Sequence, residues 1–327
     1  MATARDPNPA PSARLTPRQS DTRATYALLL LLVLLWAVNF SVIKVALEDL
    51  EPMAFNPLRF LLASVVVWAV LRRRGRVPLP ARADLPRIIA LGIIGNVVYQ
   101  LLFIHAMDHT RAGNASLLLA GTPMLTALLS AALGHERVRP LMWLGVSATV
   151  AGMVLVVVGS AAELGIDSDT LRGDLLMIAA SAAWAMYTVG ARAPIRRYGS
   201  VAVTAWTMWI GTAGLFLLGI PWLLALGIDR IGEGTWLAVL YSGAFGIGVA
   251  YMLWYHGVRT IGNTRTASYS NLVPVFALAI AWAWLDEVPT PTQLIGAAVI
   301  IGGVTLANTP ATARAESDRR RGSSAEP

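Results

Sequence analysis

Several polar and aromatic side chains stand inside long apolar runs of this sequence, and their spacing limits the chemistry they can do. Trp36 and Asn39 are three apart. Asn96 and Gln100 are four apart, with Tyr99 beside Gln100. Trp184 and Tyr187 are three apart, and Tyr251 and Tyr255 are four apart with Trp254 adjacent. Residues at these separations share one face of a helix, so each set can form one wall of a site. Ser268, Ser270 and Asn271 come just before Pro274. Amides, phenols and indoles bind by hydrogen bonding and stacking, and do not by themselves break bonds. The chain has no Cys, so a thiol nucleophile, a disulfide framework and a Cys-based metal site are excluded. It carries no HExxH, Walker A or GxSxG motif, which argues against an enzyme, and no carboxylate pair stands in an apolar run. Neither a filter sequence nor a charged ring of the kind a channel needs is visible. The pattern is that of a binding wall for a partly apolar, hydrogen-bonding small molecule, with no metal or cofactor expected.

The elements that carry these residues follow from composition. Of 327 residues, 56% are apolar and only 14% charged, against about 45–50% and about 25% in soluble domains. A helix crosses about 30 Å of hydrocarbon with about 20 apolar residues. Ten such runs are predicted, at roughly 24–46, 53–71, 87–107, 112–133, 140–160, 173–193, 201–226, 235–257, 264–285 and 291–308. Residues 1–23 and 309–327 read as solvated, disordered cytoplasmic tails. With the N-terminus inside, 21 of the 26 basic residues fall in inner segments and three, Arg111, Arg172 and Arg230, in outer ones. Lys44 and Arg59 lie in or near spans. This bias predicts N-in, C-in and an even number of spans. It also explains the net charge of +7 without nucleic acid as a partner.

The sequence repeats itself. A shift of 151 superposes Gly92 on Gly243, Gly95 on Gly246, His105 on His256, Pro123 on Pro274, Glu136 on Glu287 and Gly152 on Gly303. A shift of 148 lays Trp36 on Trp184 and Lys44 on Arg192. Residues 24–160 and 173–308 thus read as two copies of a five-helix unit. Five is odd, so the second copy must be inverted in the membrane, a signature of secondary carriers that alternate between two pseudo-symmetric states.

The stretches "LLLVLLWAVNFSVIKVAL" and "MAFNPLRFLLASVVVWAVL", with "AGNASLLLAGTPMLTALLSAALGHERVRPLMWLGVSATVAGMVLV" and its second copy "TRTASYSNLVPVFALAIAWAWLDEVPTPTQLIGAAVIIGGVTLA", resemble the EamA-type branch of the drug/metabolite transporter superfamily. The resemblance covers about residues 24–308. It implies an all-α polytopic membrane protein with ten transmembrane helices in two inverted five-helix repeats. It also implies a central cavity between helices 1, 3, 4, 6, 8 and 9, and export of small metabolites such as amino acids. Drugs or other small organic solutes are the alternative cargo, and a channel or intramembrane enzyme the alternative class. Paired basic residues for a phosphate cargo are lacking. A monomer or homodimer in a bacterial cytoplasmic membrane is expected, with the bilayer and a small-molecule substrate as partners.

Each candidate has a plainer reading beside the functional one. Asn39 lines a cavity or makes an interhelical hydrogen bond. Lys44 attracts a carboxylate at the cavity mouth, or snorkels, or pairs with Glu48 one turn on. Arg59 resembles the Arg of the family's second-helix motif; a pairing with Glu48, Glu51 or backbone carbonyls is expected. Trp184, Tyr187 and Tyr251 are too deep for an interfacial belt. Pro123 and Pro274 are expected to kink their helices, as hinges or as static bends. No Asp or Glu is found deep in a predicted span; Glu136, Asp286, Glu287, His105 and His256 are assigned to helix ends, which leaves proton coupling, exchange and facilitated diffusion open.

Overall fold

The structure is a computed structural model and describes residues 19–74, 79–134, 140–164 and 169–307. The described residues are almost entirely helical, with no strand among them. The first helices are α1 (Gln19–Asp49), α2 (Pro52–Arg74), α3 (Arg82–His109), α4 (Ala112–Ala132) and α5 (Pro140–Leu164). Then come α6 (Asp169–Tyr198), α7 (Ser200–Leu224), α8 (Glu233–Ile261), α9, broken into Asn263–Ser270 and Val273–Leu285, and α10 (Pro291–Ala307). Seven of them, α1 to α4 and α6 to α8, are long and apolar enough to cross a membrane. The apolar stretches of α5, of the second part of α9 and of α10 are shorter. Outward faces are apolar: Leu34, Val65, Trp143, Val154, Leu217 and Trp282 are all exposed. A surface of that kind faces hydrocarbon, where helices satisfy their own backbone groups.

Two breaks were not legible as such in the sequence. Pro123 and Pro274 do not bend continuous helices. Each stands in the first turn of a new one, after interruptions at Ala120–Gly121 and Asn271–Leu272. The first turn tolerates proline because the missing N–H has no intrahelical partner there. The carbonyl of Leu119, one turn before Pro123, instead accepts the Thr122 hydroxyl at 2.6 Å. Two further irregularities sit in mid-span. α3 widens to a π turn at Ile94–Val98, around Gly95, and α8 at Tyr241–Val249, around Gly243 and Gly246. Such turns shift the helical register of every later side chain.

Packing exchanges partners between the halves. α1 lies on α8 and α9, as α6 lies on α3 and α4; α2 lies on α7 and α8, as α7 lies on α2 and α3. α5 packs along α10, and α4 on α9. The glycines show how close these contacts are. A Cβ on Gly246 would stand 2.6 Å from Asn39 Oδ1, and one on Gly95 would stand 2.4 Å from the Tyr187 ring. A Cβ on Gly243 would meet the Arg59 carbonyl at 2.4 Å, and one on Gly92 the Thr207 carbonyl at 3.2 Å. Asn39 and Tyr187, like Arg59 and Thr207, are 148 residues apart. Ser64 and Thr212, also 148 apart, hydrogen-bond each other at 2.8 Å.

Gly246→Val is therefore expected to lower the melting temperature of the purified protein, since overpacking a tight contact costs about 1–3 kcal/mol. Gly302→Ala, whose added Cβ meets nothing within 4 Å, is expected to be neutral or mildly stabilising. Thermal unfolding in detergent, followed by tryptophan fluorescence, measures both.

Candidate functional site

Arg59 is the centre of the polar interior. It is the largest fully buried side chain, 1% exposed. α2 carries it into a junction with α3 and α8. Its Nε donates to Asn56 Oδ1 at 2.9 Å, Nη2 to Gln100 Oε1 at 2.6 Å and Nη1 to Ser242 Oγ at 3.3 Å. Asn56 in turn donates its Nδ2 to the Gln100 carbonyl at 3.1 Å. The rings of Phe55, Phe60 and Phe103 surround the guanidinium at 5.4, 5.8 and 5.4 Å. The expected partners Glu48 and Glu51 are both exposed, and no described carboxylate forms an ion pair with Arg59. A guanidinium has five N–H donors. Three are used, which leaves one on each terminal nitrogen, the pair that grips a carboxylate in two-pronged fashion.

An aromatic chain adjoins this junction. Tyr99 stacks at 5.8 Å from Phe103 and at 4.9 Å from Trp184, and Trp184 lies 5.0 Å from Tyr187. The Tyr187 hydroxyl reaches Thr207 Oγ1 at 3.2 Å. Tyr251 packs against the cluster that contains Phe60, whose ring lies 5.8 Å from the guanidinium. So the structure brings Tyr99, Gln100, Trp184, Tyr187, Tyr251 and Arg59 into one region between α2, α3, α6 and α8.

The other candidates separate from it. Trp36 stacks on Trp254 at 5.7 Å and donates Nε1–H to the Gly246 carbonyl at 3.1 Å, where the π turn presents it. Asn39 is buried at the same α1–α8 contact, and its Oδ1 has no hydrogen-bond partner. Asn96 does not share the Gln100 stripe. It meets α7, where a Cβ on Gly211 would stand 2.2 Å from its own Cβ. The π turn between Asn96 and Gln100 is the reason the i, i+4 rule fails here. Lys44 is half-buried and donates to the Asp108 carbonyl at 3.2 Å, at the carbonyl end of α3, instead of pairing with Glu48. Asn271 is half-buried at the break in α9. Of the histidines, the His256 ring contacts Thr25 Oγ1 at 3.2 Å, and His105 lines a cleft with Leu101, Leu102, Arg172 and Leu176. Glu287 accepts from the Ala112 and Gly113 N–H groups at 2.9 and 3.1 Å, while its counterpart Glu136 lies outside the described residues.

Three functional candidates were missed in the sequence. Asn56 and Ser242 complete the Arg59 junction. Asp174, which the sequence reading did not single out, is 0% exposed, near the end of its predicted span. Its signal was its place inside a span boundary rather than beyond it, five residues after the helix begins.

A helical bundle with apolar outer surfaces, a buried polar interior and seven helices long enough to cross a bilayer defines a multi-pass membrane protein, and the family comparison makes it a transporter. The chain belongs to the EamA-like transporter family, whose profile matches it twice, at residues 23–158 and 171–309. An uncharacterized transporter of Archaeoglobus fulgidus is 33% identical over 86% of this chain and 96% of its own length. A probable terminal-alkyne amino-acid exporter of Streptantibioticus cattleyicolor is 30% identical, covering 88% and 94%. A probable amino-acid metabolite efflux pump of Salmonella typhimurium is 28% identical, covering 85% and 92%. One crystal structure superposes with a TM-score of 0.62 at 24% identity, over 89% of this chain and 97% of that one, which supports the fold.

Gln100→Leu is expected to destabilise the protein by about 1.5–3 kcal/mol, the worth of a hydrogen bond to a charged group. Combining it with Arg59→Met should recover part of the loss, because replacing both partners of a hydrogen bond by apolar groups avoids leaving a buried charged donor unsatisfied. Melting temperatures of the two single variants and the double variant complete the cycle.

Proposed function

We propose that this protein exports amino acids or closely related metabolites across a bacterial cytoplasmic membrane by alternating access. The observation that carries the reading is the buried guanidinium of Arg59, which has two N–H groups to spare and no carboxylate of its own among the described residues. The α-carboxylate of an amino acid supplies the missing charge, and the Tyr99–Trp184–Tyr187 stack and Tyr251 suit an apolar or aromatic side chain. The amino-acid exporter and efflux pump among the relatives support that class of cargo.

Ten spans in two inverted repeats, with both termini in the cytoplasm, form the framework of this proposal. The family profile matches in two halves, and the exchanged helix partners and the glycine contacts at repeat-related positions support it. Two copies of one unit, facing opposite ways, give outward-open and inward-open states of similar energy, between which a small bias moves the population. The unit that transports is taken as a monomer or homodimer.

Counterflow in proteoliposomes against a panel of radiolabelled amino acids tests the function. Saturable counterflow of at least one is expected, and its absence for all would move the cargo to other solutes. Arg59→Met should keep its fold while apparent affinity falls at least about 30-fold, the lower end of the cost of removing one partner of a buried charge pair. Unchanged transport in Arg59→Met would take Arg59 out of the site. The topology has its own test, made simple by the absence of native cysteine. A membrane-impermeant thiol reagent applied to whole cells should label Asp229→Cys and spare Arg73→Cys.

A further inference from the structure

We propose that Asp174 is the proton-binding group that couples transport to the pH gradient. The inference rests on the transport reading above, but on residues apart from the Arg59 junction.

Asp174 projects from the second turn of α6 into the corner where α3 passes into α4. Its Oδ1 accepts the Thr110 hydroxyl, and Asn114 Nδ2 stands 3.4 Å away. The orientation of that amide is fixed by a third helix: Gln293 of α10 donates Nε2–H to Asn114 Oδ1 at 2.8 Å. Gln293 is itself buried, and its Oε1 accepts the Thr290 N–H at 2.7 Å. Every partner of the carboxylate is thus a neutral donor. Its Oδ2 has a single contact, the Asn114 amide at 3.5 Å, the limit of a useful hydrogen bond. The charged and titratable groups around the corner are Lys44 on α1, whose Nζ donates to the Asp108 carbonyl, His105, Asp108 and His109 on α3, Arg111 before α4, Asp169 and Arg172 on α6, and Glu287 before α10. Among the described residues, no ion pair or hydrogen bond joins any of them to the carboxylate.

A fully buried carboxylate with one oxygen left nearly free, and no cation to hold its charge, is built to take a proton. The position also gives the proton something to act on. Thr110 and Asn114 belong to the first half of the chain, Asp174 and Gln293 to the second. The halves are flush here: a Cβ on Gly173 would lie 2.5 Å from the Thr110 nitrogen. Hydrogen bonds to an ionised acceptor are roughly twice as strong as neutral ones. Forming an O–H bond at Oδ2 neutralises the acceptor and loosens the junction, and losing that proton to the opposite aqueous phase tightens it again. Nothing but a proton is exchanged, so the cycle balances. A ligand that binds one state better than the other shifts the population by that difference.

The test uses the full chain in proteoliposomes, with an equimolar mixture of radiolabelled neutral amino acids as the probe. A one-unit pH gradient across the membrane sustains about tenfold accumulation when one proton moves per substrate. The wild-type chain should approach that ratio. Asp174→Asn should keep saturable counterflow at equal pH and accumulate nothing under the gradient, and Asp174→Glu should restore part of the accumulation. Infrared spectra of the purified proteins supply a readout independent of cargo. A protonated-carboxyl band that titrates in the wild type and is missing from Asp174→Asn is expected. The inference is overturned if Asp174→Asn accumulates like wild type, if the wild type exchanges but ignores the gradient, or if no such band distinguishes the two proteins. It is overturned also if Asp174→Asn loses counterflow and accumulation together. Absence of counterflow in the wild type with the band present strikes the cargo assignment instead, and leaves Asp174 as the titrating group.

Discussion

Close approach of helices at glycine is the constraint from which the rest of this structure follows. Between helices bathed in hydrocarbon there is no hydrophobic driving force, so association depends on packing and on hydrogen bonds. Gly246 lets α8 close on Asn39 of α1, and Gly95 lets α3 close on Tyr187 of α6. Both glycines stand in π turns, which change the register of the helix. The Gly246 carbonyl, in one of these turns, accepts the Trp36 indole N–H. The same two contacts bring the aromatic and amide side chains of opposite halves face to face, so the geometry of the interior is set by residues that have no side chain.

Arg59 is the second fixed point. An ion taken out of water in mid-protein is costly, and neutral hydrogen-bond partners offset only part of that cost. Asn56, Gln100 and Ser242 hold the guanidinium in one orientation without cancelling its charge. The three phenyl rings close off water and present their negative faces or stand near enough to do so. The interior is therefore electropositive at one defined place. Asp174, at a different corner, is the opposite case: a negative group held by neutral donors. The two groups are not paired with each other among the described residues.

Much of the fold was legible in the sequence. The apolar runs, the helical character of the described residues and the repeat at Gly95 and Gly246 all follow from composition and spacing, because lipid permits so few backbone choices. Trp184 and Tyr187 lie side by side as their spacing of three indicated, while the contact of Tyr99 with Trp184 joins two helices and no spacing could show it. What failed did so for local reasons. Asn96 and Gln100 part because a π turn lies between them, and no residue type announces such a turn. The prolines were read as kinks because a sequence shows where an N–H is missing, not whether the chain has already stopped being helical one residue earlier. Arg59 was assigned carboxylate partners because Glu48 and Glu51 are near in sequence, while its true partners come from α3 and α8 as well as from its own helix. Asp174 was passed over because a span boundary placed by hydropathy treats the second turn of a helix as its end.

The hydrogen bond between Ser64 and Thr212 joins positions that correspond in the two halves. Under the inverted-repeat framework proposed above, a contact between corresponding positions lies on the axis that relates the halves, and both hydroxyls occupy equivalent surroundings. Spin or fluorophore labels beside this contact therefore serve as an internal reference, with labels at the exposed Arg197–Asp84 contact as the comparison.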